Sequence, residues 1–291
     1  MKISGFTIIK NAIINDYPVV EAIRSILPLV DEMIVLVGDS DDETEELIKN
    51  IDDDKIHIHH SIWDKHLTKG GTVLAAETNK AFQLIDEESD WAFYIQADEV
   101  VHEKYYKAIM EACYKYADDE RVQGLLFNYL HFYGTYDYVG DSRTWYDREV
   151  RIIRNDKSIT AYKDAQGFRI GEKKLMVKPI NAFVYHYGWV KNPKQMMRKI
   201  KNMGSYWNEN KETWQKISKE DYDFGNEYDS LEKFTATHPA VMKERIARQN
   251  WNVDIDTTKK NFSFKDRVLY WFEKATGIRP FNFENYRILK D

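Results

Sequence analysis

The chain has 291 residues, 43% of them hydrophobic, enough for one large domain or two modest ones with a packed core, so disorder is not the default reading. The formal charge of -6 is mild, and 42 basic residues are interspersed among 48 acidic ones with no basic stripe, which argues against nucleic acid as a main partner. The single cysteine, Cys113, can make no internal disulfide, no apolar run approaches the roughly 20 residues of a bilayer-spanning helix, and residues 1–11 lack a secretory-signal profile; the expectation is a soluble, cytoplasmic protein.

Short apolar runs at 4–9, 33–37, 56–62 and 91–95 read as strands, the second and fourth with so little polar interruption that both faces must be covered. Helices lie between them. One is opened by Pro18, with Asn15 or Asp16 as its cap; one begins near Asp41 and carries Leu47, Ile48 and Ile51; one follows Gly70–Gly71 over 72–85. This alternation predicts a parallel sheet with right-handed crossovers and a ligand crevice outside the carboxyl strand ends. A helix at 103–116 precedes a long strand at 122–133 and less regular ones at 150–153 and 182–187. The Gly-, Tyr- and Asp-rich stretch 134–145 reads as a functional loop or lid. Beyond Pro193 the chain turns helical, at 193–210, 239–249 and 264–276.

The run Phe93-Tyr94-Ile95-Gln96-Ala97-Asp98-Glu99 is a buried strand ending in two acids, where hard oxygen ligands would suit Mg²⁺ or Mn²⁺ bridging a diphosphate; capping of the following helix is the plainer use of the same acids. Arg151 and Arg154 are expected to share a strand face, there to clamp phosphate or pair with nearby acids. Tyr136, Trp145 and Tyr146 offer flat rings suited to the apolar faces of a sugar, or to packing under a lid. Residues 265–274 carry an apolar stripe that would serve either a lipid surface or, the expected role, packing on the main domain.

In order along the chain, four segments resemble family 2 glycosyltransferases of the GT-A fold over about residues 3–190: strand one with Asn11, Val37-Gly38-Asp39-Ser40-Asp41-Asp42-Glu43-Thr44, Ala75-Ala76-Glu77-Thr78-Asn79-Lys80-Ala81, and Gln96-Ala97-Asp98-Glu99 at the place of the Asp-x-Asp motif. The resemblance implies a mostly parallel α/β (Rossmann-like) sheet flanked by helices, with a nucleotide-sugar-binding half at 1–130, an acceptor half at 131–192 and a helical extension at 193–291. It implies an inverting, metal-assisted transfer from a nucleotide-sugar, by family habit a UDP-sugar, to a saccharide or lipid-linked saccharide, with peripheral contact at the inner face of a membrane as a further expectation. By carry-over, Asn11, Asp39, Asp41, Asn79, Gln96, Ala97, Asp98 and Arg151 would contact the donor, and Asp98 with His186 would hold the divalent metal. Tyr136, Trp145 and Tyr146 would face the acceptor. Asp164 is the expected base, with Glu149 and Asp141 as rivals. Gln96 departs from the motif: its neutral amide is a poorer ligand than a carboxylate, which lowers the expected metal affinity. A non-catalytic saccharide- or protein-binding relative, and a nucleotide-processing hydrolase or nucleotidyltransferase, are the alternatives. The whole expectation requires Asp98 to project into an open hollow large enough for a pyrophosphate.

Overall fold

The computed structural model describes residues 1–204, 206–207, 220–225 and 227–290. Its first half is built on four parallel strands, β1 (Ile3–Ile9), β2 (Glu32–Val37), β3 (Ile56–His60) and β4 (Trp91–Tyr94), in the spatial order β3-β2-β1-β4. Every residue of β1 and of β4 is buried, as their near-continuous apolar sequence requires of strands covered on both faces. The connections are α1 (Val19–Ile26), α2 (Thr44–Lys49) and α3 (Thr72–Gln83). Alternation sends Phe93 into one layer with Ile23, Ile26 and Ile109, and its neighbours Ala92 and Tyr94 into the other with Phe6, Leu36 and Phe82.

Beyond β4 come β5 (Glu99–Val101), α4 (Tyr106–Lys115), β6 (Gly124–Gly134), β7 (Tyr138–Gly140), β8 (Arg148–Arg154), β9 (Ile159–Tyr162), β10 (Gly167–Ile170) and β11 (Lys173–Val190). The sheet continues β4-β8-β6-β11-β10-β9, with β8 antiparallel to both neighbours and β6 parallel to β11. The α/β expectation therefore holds, with parallel pairing through the first half and at β6·β11. β4 and β5 do not pair with the same strands. β4 lies between β1 and β8, whereas β5 runs antiparallel to β11, opposing Glu99 to His186. The corner between them, 96–98, is thus carried from the tip of β4 onto the middle of β11, where the Tyr187 N–H donates to the Asp98 carbonyl at 2.8 Å.

The stretch expected as a loop at 134–145 holds β7, which pairs with β6 and with β12 (Leu231–Lys233), so only part of it is irregular. The irregular strand expected at 182–187 is the middle of the 18-residue β11, whose pairing with β6 shifts register at two places. The C-terminal part contains α5 (Pro193–Gly204), α6 (Lys243–Ala247) and α7 (Phe264–Thr276), and it also returns two strands to the body, β12 and β13 (Tyr286–Ile288), the latter beside β11. The helix expected over 193–210 is seen to Gly204, and 208–210 lie outside the described residues. At α1 the capping residue is Pro18 itself, without a side-chain bond. Asn15 is buried and accepts from the Asn202 amide instead, while Asp16, at φ 51°, pairs with Arg245.

Candidate functional site

Asp98 and Glu99 are adjacent in sequence and opposite in use. The Glu99 carboxylate is fully enclosed and takes two parallel bonds from Arg151, Nε to Oε2 at 2.8 Å and Nη2 to Oε1 at 2.7 Å, plus the Tyr129 hydroxyl at 2.8 Å. Arg151, equally buried, gives its remaining donors to the Val150 and Gln166 carbonyls and sits over the rings of Tyr94 and Tyr129. It is therefore the pairing alternative, not the phosphate clamp, that Arg151 adopts. Arg154 lies over Trp91 and donates to the Val122 and Ala117 carbonyls in the connection between α4 and β6. The expected shared face is absent: residues three apart on a strand point to opposite faces, and each arginine serves the fold separately.

Asp98 turns the other way. Its carboxylate, with 13% of the side chain exposed, accepts from the Lys199 ammonium of α5 at 3.2 Å and lies 3.7 Å from His186 Nε2. Burial raises its pKa, but Lys199, His186 and Lys191 outweigh that and hold it at about 2. Lys199 also donates to the Gly188 carbonyl at 3.0 Å. The open hollow expected in front of Asp98 is thus a closed polar nest, and what fills it is the cation of α5, a residue for which the sequence carried no motif.

A chain of imidazoles fixes the remaining edge. His131 is stacked on Tyr129 and Trp145, and its Nε2 lies 2.8 Å from the Tyr146 carbonyl, which can only accept; Nε2 therefore carries the proton. That leaves His131 Nδ1 as an acceptor for His186 Nδ1–H at 3.2 Å, and directs the unprotonated His186 Nε2 toward Asp98. Burial holds both imidazoles below their ordinary pKa, that of His131 well below, so both are neutral near pH 7. Two electron-pair donors, a carboxylate and an imidazole nitrogen, face one gap. A Cβ on Gly188 would stand 2.7 Å from Asp98 Oδ2 and 2.8 Å from His186 Nε2, so the lack of a side chain at 188 keeps that gap open. A carboxylate and a neutral imidazole are two donors of the kind a divalent cation takes, but among the described residues no group of three or more acidic, histidine or cysteine side chains is placed to hold one, and the Lys199 ammonium stands beside the two.

The neighbouring strand ends supply further polar groups. At the end of β1 and β2, the Asn11 amide donates to Asp41 at 3.2 Å and accepts from the Asp41 N–H at 2.6 Å; Asn11 stands at φ 55°. Asp39 pairs with Lys10 at 2.6 Å; burial raises its pKa, and the lysine and the Trp63 N–H draw it below the usual range. The Trp63 indole N–H nearby is buried with no partner among the described residues. Gln96 donates to the Ala165 carbonyl at 3.2 Å, which ties the corner of β4 to the turn holding Asp164. Asp164 is half-buried against Gly71, at the start of α3, and burial raises its pKa. Ala97 packs into the core.

Several expected roles go elsewhere. Asn79 accepts from the Ala161 N–H at 2.7 Å and so fastens α3 to β9. Glu149 is 3% exposed, one carboxyl oxygen has no partner among the described residues, and burial lifts its pKa to about 8, so it is a protonated interior acid. Asp141 takes the Tyr270 hydroxyl at 2.7 Å and the Lys260 ammonium at 3.1 Å, anchoring α7. Trp145 and Tyr146 pack around His131. Tyr136, only 4% exposed, has its hydroxyl pKa pushed up to about 12, chiefly by burial, and lines a cavity of roughly 470 Å³ with Asp16, Gln195, Arg245, Asn250 and Trp251. Gln195 and Lys199 are four residues apart on α5, so this cavity and the Asp98 nest border the same helix about one turn apart.

No family model matches the chain, and no curated protein matches it. Among solved structures it is similar to S. aureus TarS 1–349 in complex with UDP, at 14% identity and a TM-score of 0.38, over 74% of this chain and 68% of that one. It spans 41% of the longer TarS chain, at 12% identity and a TM-score of 0.38. A second likeness is glucosyl-3-phosphoglycerate synthase from Mycobacterium tuberculosis in complex with Mn²⁺, UDP and phosphoglyceric acid, at 18% identity and a TM-score of 0.31, over 45% of this chain and 43% of that one. These likenesses are too distant to assign a family.

Proposed function

We propose that the chain is an inverting glycosyltransferase of the GT-A type that moves a sugar from a nucleoside diphosphate, UDP by preference, to a saccharide or lipid-linked saccharide hydroxyl. The observation that carries this reading is the Asp98–His186 gap at the carboxyl end of the parallel block, flanked by the Asn11–Asp41 and Lys10–Asp39 pairs on the adjoining strand ends. Asp98 and His186 would hold a divalent cation there, and such a cation would offset the charge that gathers on a departing diphosphate. Asn11, Asp39 and Asp41 would meet the base and ribose. In the reaction an acceptor hydroxyl oxygen bonds to the anomeric carbon as the bond from that carbon to the diphosphate oxygen breaks. Asp164 takes the hydroxyl proton and the nucleoside diphosphate carries the electron pair away. Its raised pKa suits a carboxylate that must accept a proton. The cavity at Tyr136 and Trp251 has the rings and amides that sugar hydroxyls require, and would take the acceptor. A pyrophosphate can enter only if Lys199 withdraws from Asp98, so α5 would act as the closing element.

The test is thermal denaturation with Mn²⁺ and UDP, GDP, CMP or dTDP, followed by donor hydrolysis in Asp98→Ala. One nucleotide should raise the midpoint by several degrees, and the variant should lose about two orders of magnitude in turnover. No shift with any nucleotide rejects the reading. Nucleotide binding with no turnover in the wild type favours a non-catalytic binding module, which the closed Lys199–Asp98 pair also supports.

A further inference from the structure

Helix α7 is mounted inside out. At about 100° per residue, Phe264, Val268, Trp271, Phe272 and Ala275 fall within an arc of about 100°, an apolar stripe of the kind that ordinarily faces a core. Here it faces solvent: Phe264 is 86% exposed, Trp271 61%, Val268 54% and Phe272 45%. The segment that follows extends the same surface with Ile278 at 59% and Phe281 at 88%. The opposite, polar arc is the one docked on the protein. Tyr270 donates to the buried Asp141 carboxylate at 2.7 Å, and Glu273 pairs with Arg143 at 2.6 Å and with Arg279 at 3.5 Å. Packing on the main domain, the role expected from the sequence, is thus carried by the polar side and leaves the stripe uncovered among the described residues.

The charges are sorted in the same sense. Both acids of the helix, Asp266 and Glu273, lie on the docked arc; Asp266 closes the cap at Ser263. The bases Lys265, on one side of the stripe, and Arg267, on the other, border it and are exposed, while the Lys274 ammonium turns to Glu232 at 3.5 Å and Asp141 at 3.8 Å. An isolated stripe of aromatic and aliphatic side chains edged by cations is complementary to an anionic lipid interface, in which rings enter the headgroup–acyl boundary and lysine and arginine meet phosphates. We propose that α7 and residues 278–281 form a peripheral docking surface for an anionic bilayer, lying in the plane of the membrane with the body of the protein held above it by the Asp141 and Glu273 contacts. This inference rests on α7 alone and does not depend on the transferase reading.

The experiment is co-sedimentation of the full chain with vesicles of phosphatidylcholine alone and of phosphatidylcholine with phosphatidylglycerol, beside sedimentation velocity without lipid. The protein should pellet with the anionic vesicles and be released as salt rises. Trp271→Glu with Phe264→Glu should lower vesicle binding at least about tenfold with the circular dichroism spectrum unchanged, and Lys265→Glu with Arg267→Glu should lower it on anionic vesicles only. Three results overturn the proposal: protein that stays in the supernatant with both vesicle types, binding unchanged in Trp271→Glu with Phe264→Glu, or a lipid-free dimer that the same pair of substitutions dissociates, which would make the stripe a contact between copies of the chain.

Discussion

The corner at Asp98 and the outer face of α7 depart from ordinary protein architecture in opposite directions. At the corner, charge lies inside: Asp98 and Lys199 are largely withdrawn from water beside two imidazoles that burial keeps neutral. On α7, hydrocarbon lies outside, and Glu273 is turned inward to Arg143 and Arg279. Interior charge is tolerated only when paired, and an exposed apolar stripe only when something covers it or when its cost is accepted. The corner meets its condition internally through Lys199. The helix does not, since nothing described in the chain lies over its stripe. The two regions therefore call for different experiments, one that removes an internal partner and one that supplies an external one.

The largest expected effect sharpens the comparison inside the corner itself. Glu99 and Arg151 form a pair with no exposure at all, so Arg151→Ala leaves an uncompensated buried carboxylate and should destabilise the fold by about 3–5 kcal/mol, read from urea denaturation. A cost equal to that of a surface pair would mean that Glu99 is wetter than the geometry indicates. Next comes Glu149. The folded chain keeps its proton up to about pH 8, whereas the ordinary value is 4.5, so this acid costs stability progressively from pH 4.5 upward and the full cost stands above 8. Glu149→Gln should accordingly stabilise by on the order of 1–3 kcal/mol at pH 8.5 and by little at pH 4.5. A gain independent of pH would show that the carboxyl is not protonated in the fold. The smallest effect concerns Lys199. Removing its ammonium leaves Asp98 and His186 without their internal cation, so Lys199→Met should raise Mn²⁺ affinity about tenfold, measured as loss of the free-ion paramagnetic resonance signal. Unchanged or weaker affinity would remove the idea that α5 and a metal compete for one place.

The parallel block was readable because its signal is local. Unbroken apolar runs such as 91–95 and 33–37 can only be strands covered on both sides, and the helices between them have their own periodicity. Short strands such as β5, β7, β12 and β13 are three residues each, and they exist through partners distant in sequence. The same division runs through the site. Asp98 and His186 stood out by position and residue type. Lys199, His131 and Trp63 did not, since each acquires meaning only from a neighbour that the fold delivers: a carboxylate, a second imidazole, the bare backbone of Gly38. Arg151 misled for a related reason. An arginine on a strand near two acids has the same sequence signature whether it ends beneath the sheet or at its rim, and only the Glu99 contact decides.

Gly188 sets the aperture of the corner by having nothing to put there. A single methyl group at this position would stand between the Asp98 carboxylate and His186 Nε2 while hardly touching the pairing of β11 with its neighbours. The width of the corner is thus governed by a hydrogen atom. A Gly188→Ala chain would keep its outline and close the space between the two side chains.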